Sequence, residues 1–259
     1  SVVILRKSVN ESHFNADDFG LTQGVNNGIV KSHQDGVVKS TTMMVGMDAE
    51  QNAIELAHQN PDLKIGVHLR FTAGAPLTEH PNLTNGRTHF VKYSELWNKQ
   101  DFEAQAVYDE AKAQIDHFLS LGQRSVILIV IIMLIRTPRF FLLFRNSRKS
   151  TACHFAEWYL SSTNDDKLFL TDEFYDQKVS LDGLMQHLLS LKENYDVVEV
   201  MCHPAYADQP LIMKSGYALQ RELELQVLTS PILKEQLAQH GIAVTDYSAL
   251  VSTSQVVGV

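Results

Sequence analysis

Cysteine is nearly absent from this chain: Cys153 and Cys202 are the only two in 259 residues, which rules out a disulfide framework. An excess of positive charge is missing as well. Lysine and arginine total 22 against 30 aspartate and glutamate, for a net charge of −8. A nucleic-acid surface would show a basic stripe, so no nucleic-acid partner is expected. Long apolar runs are also lacking. Val2-Val3-Ile4-Leu5 is far too short for the h-region of a cleavable signal. The longest apolar stretch, which begins at Val126 and stops at Arg136, falls well short of the roughly 20 residues that a membrane helix requires. No membrane partner is therefore expected, a cytoplasmic location is the default, and a homodimer is compatible with the composition. Neither a G-x-S-x-G elbow nor a phosphate-binding glycine loop is present, which removes two common catalytic signatures.

What is present suits one large α/β domain over residues 1–259. The hydrophobic fraction of 44% is ample for a core, and single α/β barrels commonly reach this length. Val37-Val38 through Met43-Met44-Val45 reads as a buried strand. Asp48-Ala49-Glu50-Gln51 has the pattern of a capping box, opening a helix that stops before Pro61. Leu63, Ile65 and Val67 alternate as a strand that ends at His68. Ala104, Val107, Ala111, Ile115 and Phe118 recur at helical spacing, and Gly122 closes that helix. Val197 to Met201 is a strand running into Cys202-His203, and Ser230-Pro231 starts a helix that Gly241 ends before a last strand, Ile242-Ala243-Val244. This alternation predicts an α/β fold with mainly parallel strands and outer helices; an open sheet and a barrel share the pattern.

The polar residues able to do chemistry cluster at one place in such a fold. Asn15-Ala16-Asp17-Asp18-Phe19-Gly20 puts two adjacent carboxylates in a tight turn, where one acid can hold a cation while the other handles a proton. His68, in Gly66-Val67-His68-Leu69-Arg70, ends one strand, and His203, in Met201-Cys202-His203-Pro204-Ala205-Tyr206, ends another. Active sites of parallel α/β proteins collect at these C-terminal strand ends. Carboxylate and imidazole are the usual ligands of a catalytic zinc, which makes His68 a ligand candidate. His203 is a candidate general acid for a leaving amine, its backbone direction fixed by Pro204. His33, His58, His117, His187 and His240 lie on helix-like segments and read as surface or hydrogen-bonding residues.

The Asn15–Gly20 motif, Gly66-Val67-His68-Leu69 followed by Thr72-Ala73-Gly74-Ala75-Pro76-Leu77, and Cys202-His203-Pro204 together resemble the YdjC/ChbG family of carbohydrate deacetylases. The order and spacing match over roughly residues 14–124 and 155–250. The resemblance implies a (β/α) barrel-like fold and one divalent metal ion, magnesium or zinc. It implies removal of N-acetyl groups from small chitin-derived oligosaccharides, so a small N-acetylated oligosaccharide is the expected partner. By position, Asp17 would be the general base, Asp18 and His68 metal ligands, and His203 the group acting near the leaving amine. Arg70, Pro204 and Tyr206 are the expected substrate contacts.

Four departures from the family stand out. Ala205 replaces a glycine, Arg70 stands where the family often has asparagine, and Lys7–His13 is polar where a buried first strand normally runs. The fourth lies in residues 125–154. Family members carry a stretch resembling His-Ile-Asp-Ser-His-His-His-Val there, which supplies a third metal ligand. This chain instead reads Val126-Ile-Leu-Ile-Val-Ile-Ile-Met-Leu134, followed by Arg136, Arg139, Arg145, Arg148 and Lys149. Codons for Val126–Leu134 can be chosen so that a reading one base earlier yields the histidine-rich stretch without a gap. A frame-shifted segment is thus the preferred reading, beside the plainer one of a buried strand followed by a basic helix. As printed, the segment leaves Asp18 and His68 as two ligands and opens the alternative of a vestigial, sugar-binding protein.

Overall fold

The computed structural model describes residues 10–92, 94–95, 101, 103–122 and 167–247. In chain order its elements are β1 (Asn10–Phe19), α1 (Gln23–Gln34), β2 (Ser40–Met43), α2 (Glu50–Gln59), β3 (Lys64–Val67), α3 (Pro81–Thr84), α4 (Ala104–Ser120), β4 (Leu168–Thr171), α5 (Leu181–Leu191), β5 (Val197–Cys202), α6 (Gln209–Lys214), α7 (Leu219–Leu228), α8 (Pro231–Gln239) and β6 (Ile242–Thr245). A 3-10 turn at Asp176–Lys178 follows β4. The strands form one sheet in the order β3-β2-β1-β5-β4, with β6 added to β1. Every pairing among the described residues is parallel, so this is an α/β fold of the expected kind. Among the described residues the sheet ends at β3 and β4.

Register explains where the chemistry sits. Residues paired across parallel strands share a face, and alternate residues of one strand share a face. His13 pairs with Glu199, Asn15 with both Met201 and Ser40, and Thr42 with Gly66. One face of the sheet therefore carries His13, Asn15, Asp17, Ser40, Thr42, Glu199 and, just past the strand ends, His68 and His203. The opposite face carries Phe14, Ala16, Met43, Ile65, Val67, Val198, Val200 and Cys202, each no more than 4% exposed. Helices cover this apolar side: α1 packs on β1, α2 and α7, and α8 packs on β6. Burying each large aliphatic side chain there stabilises the fold by about 1.5–3 kcal/mol.

The polar face is also buried: His13, Asn15, Ser40 and Thr42 are 0% exposed. This accounts for the polar first strand. Asn10–His13 runs as regular β1, paired with both β5 and β6, because its odd-numbered residues face a polar interior rather than the helices.

Local capping agrees with the sequence in part. Thr22 caps α1 through the Val25 N–H, and Ser180 caps α5 through the Gly183 N–H. Gly122, with φ of 71°, follows α4 as expected. The capping box at Asp48–Gln51 does not form. Ala49 is the N-cap of α2 and makes no side-chain cap bond. Asp48 is drawn instead to Lys214, with its carboxylate 2.7 Å from the ammonium, while the Glu50 carboxylate accepts the Gly46 N–H.

Candidate active site

Two adjacent strand residues normally point to opposite faces, yet Asp17 and Asp18 both reach His68. A β-bulge is the cause. From the Ala16↔Thr41 pair to the Phe19↔Met43 pair, β1 advances by three residues and β2 by two. The extra residue is absorbed at Asp18, whose φ of 76° lies in the left-handed region, a conformation costing about 1–3 kcal/mol in a residue other than glycine. Bulges of this kind re-aim side chains beside active sites. Here Asp17 Oδ1 lies 3.8 Å from His68 Nδ1, and Asp18 Oδ1 lies 3.8 Å from His68 Nε2. The two acids flank one imidazole.

Each acid is held differently. Asp17 Oδ1 accepts hydrogen bonds from Asn15 Nδ2 at 2.8 Å and from the Thr42 hydroxyl at 2.7 Å. Asn15 is oriented in turn by the Tyr247 hydroxyl, 2.6 Å from its Oδ1. Asp17 Oδ2 is turned toward His203 Nε2, at 4.0 Å. Burial pushes the Asp17 carboxyl above its ordinary pKa, further than His68, His203 and Thr42 draw it back. It is thereby the more basic acid of the pair. For Asp18, burial acts in the same direction, but the Arg221 guanidinium 2.8 Å from Oδ2, with His68 and His203, holds the carboxyl well below the usual range.

His203 follows the end of β5, and α7 supports it from below. Its backbone N–H donates to Glu224, and its Nδ1 lies 3.8 Å from Glu224 Oε1. Glu224 is fully buried and also accepts from the Tyr217 hydroxyl. Burial works against a charged imidazole, but the Glu224 carboxylate more than offsets it, and His203 stays protonated to higher pH than an ordinary histidine. Arg221 donates through Nε to the Tyr217 carbonyl, and its own carbonyl accepts the Ala205 N–H, which ties α7 to the loop after His203.

The three expected substrate contacts are placed unevenly. Tyr206 is 44% exposed. Pro204 is buried beside Ala205, and α1 approaches this loop so closely that a Cβ at Gly28 would lie 2.4 Å from the Ala205 Cα. Arg70 is 3% exposed, and its guanidinium donates to the carbonyls of Val45, Ala73 and Ala75. It holds the 73–75 loop against the turn after β2. The structure does not bring its guanidinium to the two aspartates.

Asp18 Oδ1 and His68 Nε2, 3.8 Å apart, fit a divalent cation. Zinc takes nitrogen and carboxylate ligands at about 2.0–2.2 Å, so both atoms can reach one ion, and Arg221 engages only the other oxygen of Asp18. No cluster of three His, Cys, Asp or Glu able to hold a metal occurs among the described residues. The 125–154 segment, where family members carry the stretch that supplies a third ligand, lies outside them.

Sequence reasoning missed Arg221, Glu224 and Tyr217. The signal was the helix pattern of α7: its buried positions are Arg221, Glu224, Leu225 and Leu228, while Leu219 and Leu223 are 67% and 49% exposed. Two charged residues stand in the stripe that normally packs inward. Such charges are rarely buried without partners, and the partners here are Asp18 and His203.

Parallel strands with an acid–base cluster at their C-terminal ends define the class, an α/β protein with a two-aspartate, two-histidine centre. The chain belongs to the YdjC-like protein family, whose model matches residues 13–126 and 131–239. It is 80% identical over 259 residues to a Vibrio parahaemolyticus protein named carbohydrate deacetylase, covering 95% of this chain and 98% of that one. A Brevibacillus brevis protein of the same name is 32% identical, with 91% and 98% covered. A solved structure from Enterococcus faecalis V583, named for cellobiose-phosphate cleavage, superimposes with a TM-score of 0.77 at 30% identity, over 93% of this chain and 98% of that one. Among the described residues no helix is long and apolar enough to cross a membrane.

Proposed function

We propose that this chain is a metal-dependent carbohydrate deacetylase that removes N-acetyl groups from small chitin-derived oligosaccharides. The observation that carries the reading is the bulge at Asp18, which turns two neighbouring acids onto one imidazole and leaves Asp17 facing His203. The names of the relatives agree with it. Asp18 and His68 would hold one divalent ion, zinc or magnesium, which when bound polarises the acetyl carbonyl and acidifies water. Asp17, made more basic by burial, takes a proton from the attacking water. Asn15 and Thr42 bind its Oδ1 and so fix the carboxylate's orientation. His203, kept protonated by Glu224, donates to the departing amine. Arg221 keeps Asp18 ionised throughout.

The test is acetate release from N,N′-diacetylchitobiose, with metal content measured on the same sample. Asp17→Asn is expected to abolish turnover and leave bound metal unchanged; turnover preserved in that variant would refute the assignment. A second reading, a sugar-binding protein without catalysis, is favoured by the apolar Val126–Leu134 sequence standing where the family carries its histidine-rich stretch. It predicts sugar binding with neither metal nor acetate release. Peptide mapping across Leu121–Tyr159 links the outcome to the segment: histidine-rich peptides go with the enzyme, and peptides matching the printed sequence go with the second reading.

A further inference from the structure

Two tyrosines beside His203 take no part in the proton transfers above. Tyr175 lies in the loop after β4, at the same end of the sheet as the aspartates, and is 42% exposed. Its ring stacks on Tyr217 with centroids 4.0 Å apart and planes 12° from parallel. The His203 ring centroid is 5.7 Å from Tyr175 and 6.0 Å from Tyr217, with interplanar angles of 76° and 79°. A ring nearly equidistant from both members of a stack sits at its flank and covers neither outer face. Tyr217 covers the inner face of Tyr175, and at 42% exposure the ring keeps surface, beside the imidazole, that the described residues leave open. The platform is also rigid. The Tyr217 hydroxyl donates to Glu224 and accepts the backbone N–H of Asp176 at 2.9 Å, which anchors the residue next to Tyr175.

We propose that the outer face of Tyr175 is a stacking platform for one pyranose ring of the substrate, a sugar subsite adjoining His203. The inference rests on the carbohydrate-deacetylase reading and specifies which surface grips the sugar. An aromatic face carries negative charge and its partner's edge positive charge. A pyranose with equatorial hydroxyls presents C–H groups on its flat faces and suits that field, while its hydroxyls stay in water. The adjacent carboxylates Asp18 and Glu224 are each offset, by Arg221 and by His203, so no strong charge of one sign faces the platform and a neutral ring suits it. Stacking here sets a sugar against the flank where His203 must reach the nitrogen.

Calorimetric titration with N,N′-diacetylchitobiose, and separately with the fully deacetylated disaccharide, tests this on the wild-type protein and on Tyr175→Phe and Tyr175→Ala. Phenylalanine keeps the face and is expected to bind within about twofold of wild type; alanine is expected to bind both sugars about tenfold more weakly, the scale of one aromatic stacking contact. In turnover, Tyr175→Ala is expected to raise KM with kcat retained, whereas a role exerted through His203 would lower kcat. Tyr175→Leu, equally apolar but without a ring, is expected to behave like alanine. Wild-type binding with undiminished affinity in both the alanine and leucine variants overturns the platform and leaves the deacetylase reading standing. Absence of binding by the wild-type protein overturns both.

Discussion

Replacing Gly28 with alanine asks whether α1 sets the position of the His203 loop. A Cβ at residue 28 would sit 2.4 Å from the Ala205 Cα and 2.9 Å from its N and C atoms. Carbon atoms in comfortable contact are about 3.5–4.0 Å apart, so helix and loop must separate by roughly 1 Å. The obstructing atoms are main chain and cannot rotate aside. In open helix, glycine to alanine is worth about 1 kcal/mol in favour of the folded state; overpacking costs about 1–3 kcal/mol. The net expectation is destabilisation by up to about 2 kcal/mol, which for a chain of this size lowers Tm by up to roughly 8 °C. Ala205 is two residues from His203, so the same displacement shifts the imidazole, and a misplacement of about 1 Å can lower turnover about 100-fold. Thermal unfolding followed by circular dichroism, beside acetate release, gives both quantities. Gly216→Ala is the control, because a Cβ there meets open space, and it should change neither. A Gly28→Ala protein with unchanged or higher Tm and full turnover would show that α1 does not dictate the loop.

Two further outcomes follow from the same geometry. Glu224→Gln removes the charge that favours imidazolium at His203. The folded-state pKa of His203 should fall, so the alkaline limb of kcat/KM moves to lower pH, with a rate loss bounded by the roughly 10²–10⁴-fold that general-acid catalysis supplies; a limb that stays in place would count against His203 as the acid. Cys202 is fully buried, and burial, with Glu224 and Asp17 nearby, pushes its thiol well up. The Cys202 peptide should resist iodoacetamide in the native protein and react after urea unfolding, and native labelling would contradict that placement.

Much of the scaffold was legible because periodicity and punctuation are local. Val197–Met201, the Pro231 helix start and the Ile242 strand all appear where spacing placed them, and His68 and His203 do stand just past strand ends. The capping box failed because Lys214, far along the chain, competes for the Asp48 carboxylate. Arg70 is expected as a sugar contact because it stands where the family often has asparagine; in the fold its Nε and Nη1 donate to three carbonyls of neighbouring loops, a tertiary arrangement that no local pattern reveals. The convergence of Asp17 and Asp18 depends on a bulge, a two-strand property that no single-strand pattern reveals. Arg221 and Glu224 were hidden by the exposed leucines that alternate with them on α7.

The placement of β1 sets a timetable for the birth of the site. One edge of β1 pairs from Asn15 onward with β2, which is synthesised soon after it, but the start of that edge waits for β6 and the whole other edge waits for β5. Between Ala16 and its partner Cys202 lies most of the chain, which at ribosomal speeds of about 5–20 residues per second takes on the order of 10–40 s to emerge. Throughout that interval Asp17 and Asp18 have neither His203 nor Arg221 beside them. The nascent polypeptide holds its two acids on a half-paired strand, and the centre comes into existence as one of the last acts of folding.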